Sequence, residues 1–356
     1  MKIIFSGGGT LGPVTPLLAI KEIIEKKYKK AKFVWIGTKN GPEKQLVVKY
    51  DIPFFVISSG KMRRYFSFWN FTDLFKIIFG FLQSFVILWR EKPDICISAG
   101  GFVSVPVHFM AWIMGVPSWI HQQDVKVGLS NKIMAPFATK ITTSLEEGII
   151  NFSAKKVEWL GNPVREEILK GDKEKAIKNF GLEPSLPVVF VMGGGTGSIK
   201  INRLVVEALP HLEGFCQVIH LTGKNKKQEE PKFLKFKNYF QFDFFTEEMK
   251  DAYTVSNLVV ARGGFGTLSE VSALKKPTII IPNSGHQQDN VKFLTSAGAL
   301  LSFDEGNISG VQLAKVIKGL LADKLKMAEM GKKLNTLLPN AKEDDILEII
   351  GELLKK

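Results

Sequence analysis

A chain of 356 residues, 45% apolar and 23% charged with 32 glycines, can bury two ordinary cores and is too apolar for intrinsic disorder. Its two cysteines, Cys96 and Cys216, lie inside apolar runs, which excludes a disulfide framework or structural zinc site and reads as two buried small hydrophobes in a reducing compartment. The net charge of +13 fits nucleic acid, an anionic membrane or a polyphosphate substrate, and it is lopsided: residues 1–163 hold 21 Lys and Arg against 11 Asp and Glu, the other 193 hold 27 against 24.

In chain order, short β-branched and aromatic runs alternate with helical patterns, the form of βαβ units. Strands are predicted at Lys2–Ser6, Lys32–Ile36, Phe54–Ile57, Ile95–Ser98, Ser118–His121, Lys140–Thr143 and Val157–Leu160. A second set follows at Val188–Met192, Gln217–Thr222, Tyr239–Phe242, Leu258–Ala261, Thr278–Ile281 and Ala299–Phe303. Ile95 to Gln123 carries no charge and is long enough to span a bilayer, but Gly100-Gly101, Pro106, Gly115 and Pro117 interrupt it. It reads instead as strand, glycine loop, helix over about 103–114 and strand, all buried. The apolar start, Met1 to Gly7, is too short for a signal-peptide core, so a cytoplasmic protein is expected. The turn-forming Gly161-Asn162-Pro163 divides the chain into domains 1–163 and 164–340. In the tail, 341–356, Ile346, Ile349, Ile350, Leu353 and Leu354 have helical spacing and predict a helix docking back on the first domain.

Gly7-Gly8-Gly9-Thr10-Leu11-Gly12 fits G-x-G-x-x-G after a strand, yet the next strand ends Trp35-Ile36-Gly37-Thr38-Lys39 without the carboxylate that holds a dinucleotide ribose. Neither this loop nor its echo, Gly193-Gly194-Gly195-Thr196, continues into Gly-Lys-Ser/Thr, which excludes a P-loop. Two anion cradles at helix N-termini remain, with plain tight turns as the alternative. A third loop, Arg262-Gly263-Gly264-Phe265-Gly266-Thr267-Leu268-Ser269-Glu270, opens a helix where Glu270 either bonds sugar hydroxyls or serves only the helix dipole. Downstream, Pro282 to Asn290 gathers amide, imidazole and carboxylate side chains in a predicted loop suited to sugar recognition.

These loops, with Gly100-Gly101-Phe102-Val103-Ser104, His121-Gln122-Gln123-Asp124, Gly128-Leu129-Ser130-Asn131-Lys132 and Gly161-Asn162-Pro163-Val164-Arg165, occur in the order and spacing of one family. The whole chain resembles the bacterial peptidoglycan N-acetylglucosaminyltransferases, family 28 glycosyltransferases that convert lipid I to lipid II. The resemblance implies two Rossmann-like, doubly wound parallel-sheet α/β domains facing a cleft, the GT-B arrangement. It implies UDP-N-acetylglucosamine on the second domain and an undecaprenyl-diphosphate-linked muramoyl-peptide acceptor on the first, with no cofactor; no nucleic-acid partner is expected, because the sequence has no recognisable nucleic-acid-binding module and its aromatics lie among apolar neighbours. It puts the donor pyrophosphate at Gly194, Gly195 and Thr196 with Arg165, uracil near Phe245 and Thr246, and ribose on Glu270. Arg262 and the Phe265, Gly266, Thr267, Leu268 and Ser269 loop would line the phosphates, and His286, Gln287 and Asn290 the sugar. Thr10, Leu11, Gly12 and Asp124 complete the donor set, and Gly9, Gly100, Gly101, Ser104 and Asn131 the acceptor set.

Departures from the family stand at Leu11 for a glycine, Pro13 for a histidine, Gln122 for a glutamate, Asp124 for an asparagine and Gly195 for a serine. They leave open a transferase with another acceptor or a catalytically impaired UDP-sugar-binding relative. An inverting transfer needs a base, and with Pro13 inert the candidates are Asp124 and then His121. No Asp-x-Asp pair or metal-spaced cluster is present, so Arg165, Arg262 and helix N-termini would stabilise the leaving UDP. Three cations and five aromatics in 61–71, followed by the apolar run Ile77–Trp89, suit an anionic membrane surface at its cytoplasmic face, or else a core helix with a solvated basic loop.

Overall fold

The computed structural model describes residues 1–59, 69–195, 197–227, 236–283 and 285–355, with backbone alone for 69–75 and 286. Two compact units form, one of Met1–Arg165 with Ala341–Lys356 and one of Glu166–Asn340.

The first unit carries β1 (Lys2–Ser6), β2 (Lys32–Gly37), β3 (Phe54–Val56), β4 (Ile95–Ser98), β5 (Ser118–Gln122), β6 (Lys140–Thr143) and β7 (Val157–Trp159). They form one parallel sheet in the order β3-β2-β1-β4-β5-β6-β7. Alternate side chains of β1 feed opposite cores: Ile3 and Phe5 pack with Leu17, Ile20 and Ile97, whereas Ile4 packs with Cys96, Val103 and Val107. Both faces are covered, which is why these strands read as unbroken apolar runs. Cys96 and Cys216 are buried free thiols; burial pushes Cys216 up to about 12 against an opposing pull from Lys318.

The tail folds as the helix Glu343–Leu354, and Ile346, Ile349, Ile350 and Leu353 enter the Ile3–Phe5 core. Burying each aliphatic side chain stabilises by about 1.5–3 kcal/mol. Leu354 faces solvent instead, one position past the buried stripe.

The uncharged stretch becomes β4, the helix Ser104–Ile113 and β5, but it is not all buried: Phe102, Trp112 and Ile113 face outward. The helix Trp69–Glu91 contains the run Ile77–Trp89 and exposes Ile78, Phe79, Leu82, Phe85, Val86 and Trp89. Among the described residues no helix is long and apolar enough to cross a membrane. Lys61 to Phe68 lie outside the described residues, so the basic aromatic segment has no structural account here.

The second unit carries β8 (Val188–Met192), β9 (Gln217–Leu221), β10 (Tyr239–Phe242), β11 (Leu258–Ala261), β12 (Thr278–Ile280) and β13 (Leu301–Ser302). Its parallel sheet, β10-β9-β8-β11-β12-β13, repeats the first unit's order. The strand expected at 299–303 shrinks to two residues because the chain is still leaving the helix His286–Ser296 through Gly298, whose φ is +69°. In both sheets the order reverses beside the first strand, and glycine loops follow β1 and β4, and β8 and β11, at their C-terminal ends. A doubly wound sheet binds ligands in that crevice.

Candidate functional site

In the first unit the loops after β1 and β4 touch backbone to backbone. Gly101 has φ +101°, and a Cβ there would lie 3.0 Å from the Gly8 oxygen, so a larger residue would separate them. Gly9 is exposed with φ +83°, but its N–H donates to Glu43 Oε2 at 3.1 Å. Glu43 is wholly buried and also accepts from the Thr38 amide, 2.8 Å, and the Thr38 hydroxyl. The expected anion cradle is therefore corrected at Gly9: that N–H is occupied by the protein's own carboxylate. Sequence reading missed Glu43, which opens the helix Glu43–Val48 and looks like an ordinary first-turn acid. Thr10 is exposed, Leu11 and Gly12 half-buried, and Pro13 caps the helix Val14–Lys27 without a side-chain bond.

Ser104 Oγ donates to the Gly100 oxygen at 3.1 Å, which closes the turn into its helix. Asn131 Nδ2 donates to Gln122 Oε1 at 2.6 Å, while its own buried Oδ1 has no protein partner and faces Gly100. Gln122 in turn donates to the carbonyls of Asp124, 2.7 Å, and Lys126, 3.3 Å. A glutamate cannot donate those bonds, so the amide is used at both ends.

His121 is fully enclosed. Its Nδ1 meets Thr142 Oγ1 at 2.8 Å, and its Nε2 meets Asn162 Oδ1 at 3.1 Å and Ser144 Oγ at 2.9 Å. Because the Asn162 oxygen accepts, the proton is assigned to Nε2 and the Thr142 hydroxyl donates to Nδ1. Burial lowers its pKa to about 4 despite the Asn162 bond. A neutral ring without access to a substrate orders the loop rather than taking a proton, which corrects the catalytic expectation for His121. Asp124, three residues on, is half-buried at the loop surface. Arg165 donates from Nη1 to the Tyr50 hydroxyl, 3.1 Å, within the first unit.

In the second unit Gly194 and Gly195 are exposed, Gly194 with φ +81°; Thr196 lies outside the described residues. Ser198 caps the helix Ile199–Leu212 by accepting from the Ile201 amide. Lys226 Nζ donates to the Gly197 oxygen at 3.3 Å. Asn202 ties the neighbouring loop in place by donating to Thr222 O, 3.0 Å, and Lys226 O, 3.2 Å, and its Oδ1 is held by His220 Nε2 at 3.1 Å. Burial lowers His220 to about 3, so this relay is uncharged.

Arg262 is buried. Its Nη2 reaches Ser198 Oγ at 2.6 Å and pairs with Glu305, and its Nη1 donates to the Ile281 oxygen at 2.9 Å. Glu305 also pairs with Lys200 at 3.1 Å. The guanidinium thus acts on the loop through Ser198 with its charge already compensated, and it is not an open cation for leaving UDP.

After β11 the helix Phe265–Ala273 turns Phe265, Leu268 and Ser269 inward, with Ser269 Oγ on the Phe265 oxygen at 2.8 Å. Gly266, Thr267 and Glu270 stay on the accessible face, an i, i+3 spacing for the last two. The polar segment expected as a loop is partly the helix His286–Ser296. Gln287 Cβ lies 3.6 Å from where a Gly263 side chain would stand, whereas Asn290 is buried. The Phe245 ring is buried against Phe180, 5.3 Å, and Phe242, 4.8 Å, so it presents only backbone to a base, while Thr246 and Phe244 are exposed. Sequence reading also missed Tyr253, whose hydroxyl donates to Glu270 Oε2 at 2.8 Å. Among the described residues no group of three His, Cys, Asp or Glu could hold a metal ion.

Residues 3–143 match the glycosyltransferase family 28 N-terminal domain and residues 188–345 the family 28 C-terminal domain. The chain is 36% identical over 358 residues to the UDP-N-acetylglucosamine--N-acetylmuramyl-(pentapeptide) pyrophosphoryl-undecaprenol N-acetylglucosamine transferase of Clostridium kluyveri, with 99% of each chain covered. It is 35% identical over 357 residues to the same-named protein of Legionella pneumophila (strain Paris), across 99% of this chain and 96% of the relative. The chain belongs to this transferase family. The crystal structure of Acinetobacter baumannii MurG superposes with TM-score 0.77 at 20% identity over 99% of both chains, and a UDP-GlcNAc 2-epimerase from Neisseria meningitidis bound to UDP-GlcNAc with 0.66 at 15% over all of both. The fold of this family 28 glycosyltransferase is GT-B. Among its departures from the family pattern, Gln122 has a structural use for its amide, and Pro13 leaves the first helix without a polar cap.

Proposed function

We infer that the chain transfers N-acetylglucosamine from UDP-N-acetylglucosamine to the 4-hydroxyl of the muramoyl sugar of lipid I, with inversion, giving lipid II. The observation that carries this reading, beside family membership, is the repeated crevice: exposed Gly194-Gly195 after β8 and the Thr267–Glu270 face after β11 adjoin one reversal of strand order. In the second unit, exposed N–H groups at Gly194 and Gly195 and the N-terminus of the helix Phe265–Ala273 meet the donor diphosphate. Glu270 takes ribose, Thr246 and adjacent backbone take uracil, and Gln287 the sugar. In the first unit Gly100, Gly101 and Asn131 face the acceptor.

As the acceptor oxygen bonds to the anomeric carbon, the bond from that carbon to the diphosphate oxygen breaks. The hydroxyl proton passes to Asp124, the carboxylate at the open end of the loop that His121 orders. Charge on departing UDP is met by backbone dipoles rather than by Arg262.

The purified chain, given UDP-[14C]N-acetylglucosamine and a lipid I analogue, is expected to label the acceptor. Donor binding without transfer would overturn the enzymatic reading. We place the enzyme peripherally on the cytoplasmic face of an anionic membrane, with no nucleic-acid partner. Support comes from the exposed stripe Ile78, Leu82, Phe85 and Trp89, joined by Trp112 and Ile113, on the more basic half of the chain. Leu82→Asp with Trp89→Asp should abolish flotation with vesicles rich in phosphatidylglycerol.

A further inference from the structure

We propose that Tyr253 is a positioning residue for donor recognition, setting the direction of the Glu270 carboxylate and with it the enzyme's preference for ribose over deoxyribose; this rests on the assignment of Glu270 to the ribose. Glu270 follows the N-cap Gly264 by six positions, so it stands in the second helical turn, beyond the free first-turn N–H groups that would otherwise orient a carboxylate. One bond that orients it comes from another helix, Met249–Val255, whose Tyr253 donates to Oε2 at 2.8 Å.

Tyr253 is itself rigidly seated. The residue is wholly buried, its ring stands edge-on to Phe190 with centroids 5.3 Å apart, and its hydroxyl lies 3.7 Å from Met192 Sδ. Phe190 and Met192 belong to β8, the strand that ends in Gly193-Gly194-Gly195. One strand therefore fixes both the diphosphate loop and, through Tyr253, the ribose-facing carboxylate. A glutamate has three rotatable side-chain bonds, and a hydrogen bond to one oxygen narrows the orientations the carboxylate can take. Binding then does not have to freeze that freedom.

Tyr253→Phe keeps the ring and removes only the hydroxyl. Rates and binding are to be measured for wild type, Tyr253→Phe, Glu270→Gln and the double variant, with UDP-N-acetylglucosamine and its 2′-deoxyuridine analogue. The expected result for Tyr253→Phe is a KM for UDP-N-acetylglucosamine raised about tenfold, the effect of losing a hydrogen bond to a charged group. Its kcat should stay within about twofold, and its preference for the ribose donor should shrink; the double variant should be no worse than Glu270→Gln. If Glu270→Gln loses the ribose preference but Tyr253→Phe keeps it, Tyr253 only packs and the proposal falls. If Glu270→Gln keeps that preference, the assignment of Glu270 to ribose falls first and takes the proposal with it.

Discussion

Two loops of nearly the same sequence, Gly7-Gly8-Gly9-Thr10 and Gly193-Gly194-Gly195-Thr196, end up electrically opposite. Beneath the first lies the buried carboxylate of Glu43, bonded to the Gly9 amide. Behind the second stands a cation, Lys226 on the Gly197 oxygen, while Arg262 on the Ser198 hydroxyl is already paired with Glu305. Glycines set the shape of a loop, but the side chain packed under it decides the sign of its field. The difference suits a division in which the second loop holds a diphosphate and the first is a braced wall beside the acceptor.

The sharpest test of that division separates chemistry from donor binding. Asp124→Asn should lower kcat by about 10²-fold or more while UDP-N-acetylglucosamine affinity, measured by calorimetry, changes far less. Near-normal turnover would remove the base from the first unit. Next, Gly194→Val places a β-branched residue at φ +81°, a strain of about 1–3 kcal/mol. It should raise the donor KM by roughly 5–150-fold and leave the acceptor KM alone; an equal rise in both would break the contrast between loops.

Glu43→Gln puts an amide group against either the Gly9 or the Thr38 N–H, so it should lose about 1–3 kcal/mol in urea unfolding while donor affinity holds. The most gradual effect is on pH. His121 and His108 in the first unit and His220 in the second are lowered by burial to about 4, about 3 and about 3. As pH falls below the unfolded value near 6.5, the unfolded chain binds a proton that the folded chain refuses. Each ring should then remove about 1.4 kcal/mol of stability per pH unit down to its folded pKa. Unfolding curves of His121→Gln and His220→Gln between pH 7 and 5 should each be flatter by that amount.

How far the molecule was legible depended on distance along the chain. Strand runs such as Lys2–Ser6 and Leu258–Ala261 were readable to the residue because an apolar run in a doubly covered sheet is a local signal. The helix Phe265–Ala273 was expected, but which of its residues face out was not, since Ser269 turns inward through a bond to its own helix. Gln122 looked like the loss of a catalytic carboxylate, and only its bonds to Asn131, Asp124 and Lys126 give the amide a purpose.

By itself the sequence determined the two parallel-sheet domains, the glycine loops at their strand ends, the apolar tail helix and the family, all properties of periodicity or of residues close in order. Tertiary structure alone decided which groups are spent and which are open. Gly9 with Glu43, Arg262 with Glu305 and Tyr253 with Glu270 are 34, 43 and 17 positions apart. No local pattern marks such pairs, because hydrogen bonds and ion pairs act through space and are chosen by how the helices pack.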